Sequence, residues 1–283
     1  MTAAVAIVTD STAYLPEDTI VAHGVTVVPL QVAIGGDMRE EGRGRAAADT
    51  ARGIRDWRPV TTSRPSPERF QRAYKEAAET GASEVASIHL SGEMSGTVES
   101  ARLAAADASI PVKVVDSRSI GMALGFAVMT AAETAADGAG LDEVVDAAMR
   151  RVRATRSLFY VDTLEHLRRG GRIGAAVSLL GSALMIKPLL HITDGRIAPL
   201  EKVRTASRAL ARLEEMAVDL AGNRDVDMAV QHVAAATRAA ALAAHLRERV
   251  PHLHDLHVGE AGPVVGAHVG PGTLGVVVSR RDY

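Results

Sequence analysis

The feature that most limits how this chain can fold is the alternation of short apolar runs with helical stretches through its first half. The runs are rich in valine and isoleucine and are bounded by Gly, Pro, Ser or Asp, which is typical of strands. They are VAIVTD (5–10), VTVVPLQVAI (25–34), EVASIHL (84–90) and VKVVDS (112–117). One intervening helix starts clearly, with Ser66 as N-cap followed by Pro67. Because the strands are almost wholly apolar, the pattern predicts a parallel sheet with helices on both faces.

The second half of the chain has a different pattern. An alanine-rich helical stretch from Met122 to Thr155 is broken at Asp137–Gly140. After it, Asp194–Gly195 separates two strand-like runs and predicts a β-hairpin. A chain of 283 residues is long enough for two cores. We therefore predict an α/β protein of two domains, with a Rossmann-like parallel-sheet domain at 1–155 and an α+β domain at 156–283.

Composition argues against several classes of function. The formal net charge of −2 provides no basic surface for nucleic acid. The absence of cysteine excludes disulfides and thiol catalysis, and it suits a reducing cytoplasm. The N-terminus does not resemble a signal peptide, and no apolar run approaches the ~18 residues of a membrane helix, so we expect a cytoplasmic protein. The ten histidines, including His252, His254 and His257, show no metal-ligand spacing, and no metal site is expected.

A loop rich in hydroxyl groups joins a predicted strand to a predicted helix in IHLSGEMSGTVESA (88–101). Ligands of open α/β sheets bind at such junctions, where the helix N-terminus favours an anion. The loop contains no phosphate-binding glycine motif, and it is one residue too long for a nucleophile elbow. Taken alone, it favours a structural role in which Ser95 or Thr97 caps the helix.

A second group of hydroxyls favours a binding role instead. Thr61, Thr62 and Ser63 end a short predicted strand and precede the helix that starts at Ser66. If the two strands are parallel and close together, their carboxyl ends face one crevice, and Thr62 and Ser95 would donate hydrogen bonds to one group. Uncharged hydroxyl donors suit a carboxylate that must be held and later released.

Four further residues are candidates for a site or for local structural roles. Asp10 and Asp116 end strands, and N-capping is the simpler interpretation of both. Arg172 lies in LRRGGRIG (167–174), where arginines complement a helix C-terminus, or where Arg172 reaches an anion or a partner protein. His268 stands alone in a glycine-rich segment, either as a structural histidine or as a ligand contact.

Nine motifs in chain order resemble those of the DegV family, the fatty-acid-binding proteins that include the carrier subunit of bacterial fatty acid kinase. The resemblance covers nearly all 283 residues. The motifs are VAIVTDSTAYLP, VTVVPLQV, TTSRPSP, IHLSGEMSGTVESA, VVDSRSIGMALG, VDTLEHLRRGGRI, IKPLLHITDGRI, EKVRT and GPVVGAHVGPGTLGV.

The resemblance implies a two-domain α/β protein that holds one long-chain fatty acid, such as palmitate, in a tunnel between its domains. It implies that Thr62, Ser63 and Ser95 bind the carboxylate and that His268 lies close to it. Arg172 matches a position that the family links to the carboxylate end of the fatty acid or to kinase docking. The implied role is that of a carrier without catalytic residues, cofactor or metal, and with at most transient membrane contact. A separate ATP-dependent kinase would phosphorylate the bound acid for phospholipid metabolism.

Two departures from the family pattern lie beside the expected head group. Arg64 stands where the family usually has Gln, which adds a positive charge, and Ser91-Gly92 stands where it often has two serines. The apolar segment IGAAVSLLGSALMI (173–186) predicts a helix that ends before Pro188. The apolar pattern is equally consistent with a helix that lines the tunnel and with a helix that packs in an ordinary core.

Two other functions stay open beside the carrier. One is a serine hydrolase that uses Ser95 with His268 and either Asp10 or Asp116, although the nucleophile elbow is missing. The other is a regulatory protein that senses an acyl ligand.

Overall fold

The computed structural model describes residues 4–42, 60–179 and 186–282. The chain forms two compact units that are interleaved along the sequence. The first comprises Met1–Gln31 and Ser63–Arg153, and the second comprises Val32–Thr62 and Ala154–Tyr283. The pattern of predicted strands does not indicate that residues 32–62 belong to the second unit. The division into domains at 1–155 and 156–283 stays a prediction.

The strands and helices have the following bounds. The strands are β1 Val5–Asp10, β2 Thr26–Val28, β3 Gln31–Ile34, β4 Asp37–Glu40, β5 Val60–Ser63, β6 Glu84–His89, β7 Val112–Asp116, β8 Thr155–Tyr160, β9 Lys187–Thr193, β10 Arg196–Val203, β11 Val226–His232, β12 Leu253–Glu260 and β13 Leu274–Arg280. The α-helices are α1 Glu17–His23, α2 Pro67–Glu79, α3 Thr97–Ala105, α4 Met122–Ala136, α5 Leu141–Arg153, α6 Glu165–Arg169, α7 Ala206–Ala221, α8 Ala236–Arg249 and α9 Pro263–Val269. Ser11–Ala13 and Gly174–Leu179 are 3-10 helices.

The first unit is built on a four-stranded parallel sheet in the order β2-β1-β6-β7. The five consecutive residues 85–89 of β6 are all buried. Because successive side chains of a strand point to opposite faces, both faces of the sheet are covered. Helices α2 and α3 contribute Phe70, Tyr74 and Ala101 to one apolar layer, and α4 contacts β1 and β6. The predicted parallel sheet is confirmed.

The second unit contains a six-stranded mixed sheet in the order β10-β9-β8-β13-β11-β12. Strands β11 and β12 pair in parallel, and the other neighbours in this sheet are antiparallel. Asp194 and Gly195 have φ angles of 50° and 77° and close the β9–β10 hairpin, as their sequence predicts. Leu213 of α7 and Leu246 of α8 pack with Met228 in the main core. The predicted α/β fold class, with an α+β part beside the parallel one, is confirmed.

The predicted strand at residues 25–34 is two strands. β2 ends at Val28 and β3 begins at Gln31, because Pro29 between them has no N–H to donate to a neighbouring strand. β3 lies between β4 and β5 in a small three-stranded sheet. This sheet carries the Thr-Thr-Ser hydroxyls at the end of β5.

The predicted helix over residues 173–186 is wrong in its described part. Residues Gly174–Leu179 form a 3-10 helix, and Gly174 has a φ of 52°, which an α-helix does not allow. The carbonyl oxygen of Ile197 approaches Gly174 too closely for any side chain there. Residues 180–185 of the predicted helix lie outside the described residues. In the part of the chain that the structure describes, no helix combines the length and the apolar character that crossing a bilayer requires.

Candidate functional site

Strand β5 and helix α9 bring two of the candidate binding residues together in the second unit. Thr62 is half-buried near the end of β5, and His268 lies in the last turn of α9. Thr62 Oγ1 and His268 Nε2 share a hydrogen bond of 2.8 Å. The two residues are 206 positions apart in the sequence, so their pairing is a product of the fold.

The imidazole of His268 is neutral in this environment. Burial, and secondarily the positive charge of Arg172, lower the pKa of His268 from 6.5 to about 4. Its Nδ1 is buried and has no hydrogen-bond partner among the described residues. At neutral pH the ring therefore carries one proton, and it lies beside Thr62 as a polar but uncharged group.

The glycines of LRRGGRIG have two different structural roles. Gly170, which follows α6, has an ordinary φ of −74°, but a Cβ there would overlap Nδ1 of His268. Gly171 has a φ of 68°, which favours glycine, and the space around its α-carbon is open. Arg172 donates to the carbonyl oxygen of Gly170 at 2.7 Å. Arg172 and His268 therefore both contact Gly170.

One carboxylate binds the other two arginines of this segment. Glu165 accepts hydrogen bonds from Arg168 at 2.8 Å and from Arg169 at 2.9 Å. These bonds lower the pKa of Glu165 to about 2, and the bond from Arg168 has the larger effect. Of the three arginines, Arg172 is the one whose charge acts on His268.

A polar cluster near the end of β8 contains none of the candidate site residues named above, although three of the nine motifs run through it. Tyr160 donates to Oδ1 of Asp162 at 2.5 Å, and Lys187 donates to the backbone oxygen of Asp162 at 3.0 Å. A Cβ at Gly272 would overlap the second carboxylate oxygen of Asp162. The signals that point to this cluster are an aspartate two residues after the end of a strand and the Gly-Pro-Gly turn that ends at Gly272.

Ser95 is half-buried in the first unit, in the loop before α3. Its hydroxyl shares a hydrogen bond of 2.9 Å with the hydroxyl of Thr97. Gly96 is the N-cap residue of α3, and no side chain caps this helix. The capping role that the loop favours when taken alone is therefore wrong for both hydroxyls. Arg64 lies over the same turn and donates to the carbonyl oxygen of Gly96 at 3.4 Å.

Ser63 is exposed at the end of β5 and donates to Oε1 of Gln31 at 3.3 Å. It belongs to the first unit, as Ser95 does. Thr62, Arg172 and His268 form one group in the second unit through the contacts described above.

Asp10 has a structural role that its position after β1 already indicates. Its carboxylate is fully buried and accepts hydrogen bonds from the backbone N–H of Thr12 at 3.0 Å and of Leu90 at 2.9 Å. Its Oδ2 also lies 3.1 Å from Nδ1 of His89, whose Nε2 bonds Ser87 at 2.7 Å. Asp10 thus caps the first 3-10 helix and ties it to the end of β6.

Asp116 has a similar role on the neighbouring strand. It accepts hydrogen bonds from the backbone N–H of Arg118 at 2.8 Å and of Gly92 at 3.2 Å. The second bond holds the loop that carries Ser95. Among the described residues, no three His, Cys, Asp or Glu side chains are grouped so that they could hold a metal ion.

The model of the DegV family matches residues 4–281 of the chain. This chain belongs to the DegV family. A DegV domain-containing protein of Streptomyces coelicolor is 58% identical to it over 98% of this chain and 99% of the relative. Another, from Mycobacterium tuberculosis, is 38% identical over 97% of this chain and 96% of the relative. The resemblance seen in the nine motifs is confirmed.

Two solved DegV structures have the same fold. A DegV family protein from Thermus thermophilus, described as binding fatty acid, superposes with a TM-score of 0.92 at 35% identity, covering 98% of this chain and 99% of the other. DegV from Bacillus subtilis, described as a fatty acid binding protein, superposes with a TM-score of 0.91 at 31% identity, covering 99% and 100%.

Proposed function

We propose that this DegV protein binds one long-chain fatty acid. The observation that carries the proposal is its match, over nearly the whole chain, to solved DegV proteins described as fatty acid binding. Burying about 15 carbons of a palmitoyl chain contributes about 12 kcal/mol gross, at ~0.8 kcal/mol per methylene. Ordering and association costs offset much of this. The acyl chain therefore supplies the affinity, and polar groups set the orientation.

We further propose that the hydroxyls of Thr62, Ser63 and Ser95 bind the carboxylate, with His268 and Arg172 acting at the same end. The bond between Thr62 and His268 supports this assignment. Nδ1 of His268 faces Gly170, whose oxygen Arg172 binds, so the arginine charge favours the tautomer with the proton on Nε2. In that tautomer Thr62 accepts from the ring, and its own hydroxyl proton is free for a carboxylate oxygen.

The proposed role is that of a cytoplasmic carrier, which presents the bound acid to a separate ATP-dependent kinase for acyl-phosphate formation. A hydrolase is disfavoured because the sequence contains no nucleophile elbow. In addition, the carboxylates of Asp10 and Asp116, its two candidate acids, accept hydrogen bonds from backbone groups of the first unit.

Denaturing extraction of the purified protein, followed by lipid mass spectrometry, tests the carrier assignment. We expect about one free long-chain fatty acid per chain. Absence of lipid, together with esterase turnover that is lost in Ser95→Ala but kept in Ser83→Ala, would instead support the hydrolase. Ser83 is a matched control because it is an exposed serine of the same unit, and its hydroxyl donates to the backbone oxygen of Ala4.

Presentation to a kinase requires its own test. The lipid-loaded protein is incubated with a purified bacterial fatty acid kinase and ATP, and acyl phosphate is trapped with hydroxylamine. We expect hydroxamate to form only when the loaded protein is present. Equal product from free palmitate without the protein would contradict the presenting role while leaving fatty-acid binding intact.

A further inference from the structure

The exposed side chain of Arg64 places a positive charge at the start of α3. A Cβ built on Gly96 would lie 2.9 Å from Cδ and 3.0 Å from Cζ of Arg64, so the guanidinium packs directly on this glycine. Gly96 has a φ of −75°, which any residue adopts, so its backbone conformation does not require glycine. The absence of a side chain at Gly96 is instead what allows Arg64 to approach so closely. In the described part of the chain, no carboxylate pairs with Arg64, whose polar contact is the carbonyl oxygen of Gly96.

This placement beside the N-terminal end of α3 is electrostatically unfavourable. The N-terminal end of a helix carries a partial positive charge, which repels a cation. Glu99, the acidic residue in the first turn of α3, lies 3.9 Å from Arg102 instead. The guanidinium of Arg64 and the positive end of α3 thus adjoin each other, and none of the described carboxylates pairs with this guanidinium.

Two hydroxyls beside Gly96 leave one donor for an anionic group, because the other hydroxyl donates within the hydrogen bond that they share. Ser95 and Thr97 flank Gly96, and their oxygens lie 2.9 Å apart. Hydroxyls bind charged and neutral head groups alike, whereas a guanidinium donates two parallel N–H bonds to a carboxylate or a phosphate. Of these three side chains, Arg64 is the one that carries a charge.

We propose that Arg64 is a specificity-determining residue that selects the charge of the head group. It strengthens the binding of ionised head groups over neutral ones, and of a doubly charged head group over a singly charged one. This inference rests on the proposed function, because it takes Ser95 as a contact of the head group.

The test compares three ligands with the same alkyl length: hexadecanol, which is neutral, palmitate, and hexadecyl phosphate at a pH where it is doubly charged. Each displaces a fluorescent fatty acid from delipidated protein. For the native protein we expect affinity to rise in that order. Arg64→Gln should lower the affinity for palmitate about tenfold or more and that for hexadecyl phosphate further, with hexadecanol unchanged.

Two further variants distinguish an effect of the position of the Arg64 guanidinium from an effect of the net charge of the protein. Arg72→Gln removes the same charge from an exposed site on α2 and should leave all three affinities unchanged. Gly96→Ala keeps the charge but displaces the guanidinium, and it should reproduce much of the loss seen in Arg64→Gln.

Thermal unfolding of the delipidated protein distinguishes this role from a structural one. Arg64→Gln should raise the melting temperature, because it removes the repulsion between the cation and the helix end. A lowered melting temperature with unchanged affinities, or equal losses for hexadecanol and palmitate, would overturn the inference. If the native protein bound none of the three ligands, the proposed function would fail, and this inference with it.

Discussion

Thr62 and Ser95 are the residues whose removal tests the carboxylate assignment most directly. Thr62→Ala and Ser95→Ala should each weaken fatty-acid binding by about 1.5–3 kcal/mol, since each removes one hydrogen bond to a charged group. The double variant should bind markedly worse and remain folded. The measurement is displacement of a fluorescent fatty acid, with Thr62→Ser as the control that keeps the hydroxyl. An unchanged affinity in the double variant would contradict the assignment.

The pKa of His268 reports on the same head group. In the delipidated protein, burial and Arg172 hold it at about 4, below the unfolded value of 6.5. The unfolded chain therefore binds a proton more readily, and stability is lost as the pH falls from 6.5 towards 4, by up to about 3 kcal/mol. His268→Gln should reduce this loss, as measured by urea unfolding at several pH values.

A bound carboxylate should raise the His268 pKa, because an opposite charge favours the imidazolium. Between pH 7 and 5, palmitate binding should then be accompanied by proton uptake and should become stronger as the pH falls. The measurement is an NMR titration of the ring with and without palmitate. A pKa that does not move when palmitate is added would assign His268 a structural role alone.

At the scale of elements, the turn after α6 is what holds Arg172 against the same glycine as His268. Gly170→Ala should displace the His268 ring, destabilise the protein by about 1–3 kcal/mol and weaken lipid binding. Gly171→Ala is the matched control. Its positive φ should lower the free energy of unfolding by about 1 kcal/mol, but the added methyl group would contact none of the described residues. Equal lipid affinities in the two variants would show that the turn does not act through His268.

Most elements could be predicted from local pattern. Helix α2 begins at Pro67, as the pair Ser66-Pro67 predicts, and β9 and β10 meet at Asp194–Gly195. The segment 174–179 could not be predicted, because its apolar composition suits an α-helix and its 3-10 geometry accompanies the close approach of Ile197 to Gly174. That contact comes from a strand that follows later in the chain.

At the scale of the whole molecule, binding of palmitate should raise the melting temperature. At a palmitate concentration a hundredfold above Kd, the folded state gains about 2.7 kcal/mol. For a chain of this size, that corresponds to an increase in melting temperature of roughly 5 °C. Differential scanning fluorimetry of delipidated protein measures it, and the Thr62→Ala Ser95→Ala variant should show a much smaller increase. An equal increase in both proteins would indicate binding elsewhere.

The sequence by itself determined most of the strands and helices, the parallel character of the first sheet, the hairpin and the membership of the DegV family. These follow from residue periodicity and short motifs, which act over a few positions. Only the tertiary structure decided that Thr62 bonds His268, that Gly170 is a glycine because His268 lies against it, and that the His268 pKa is low. The reason is physical: burial, close approach and the field of a neighbouring charge depend on groups that the fold brings together from distant parts of the chain.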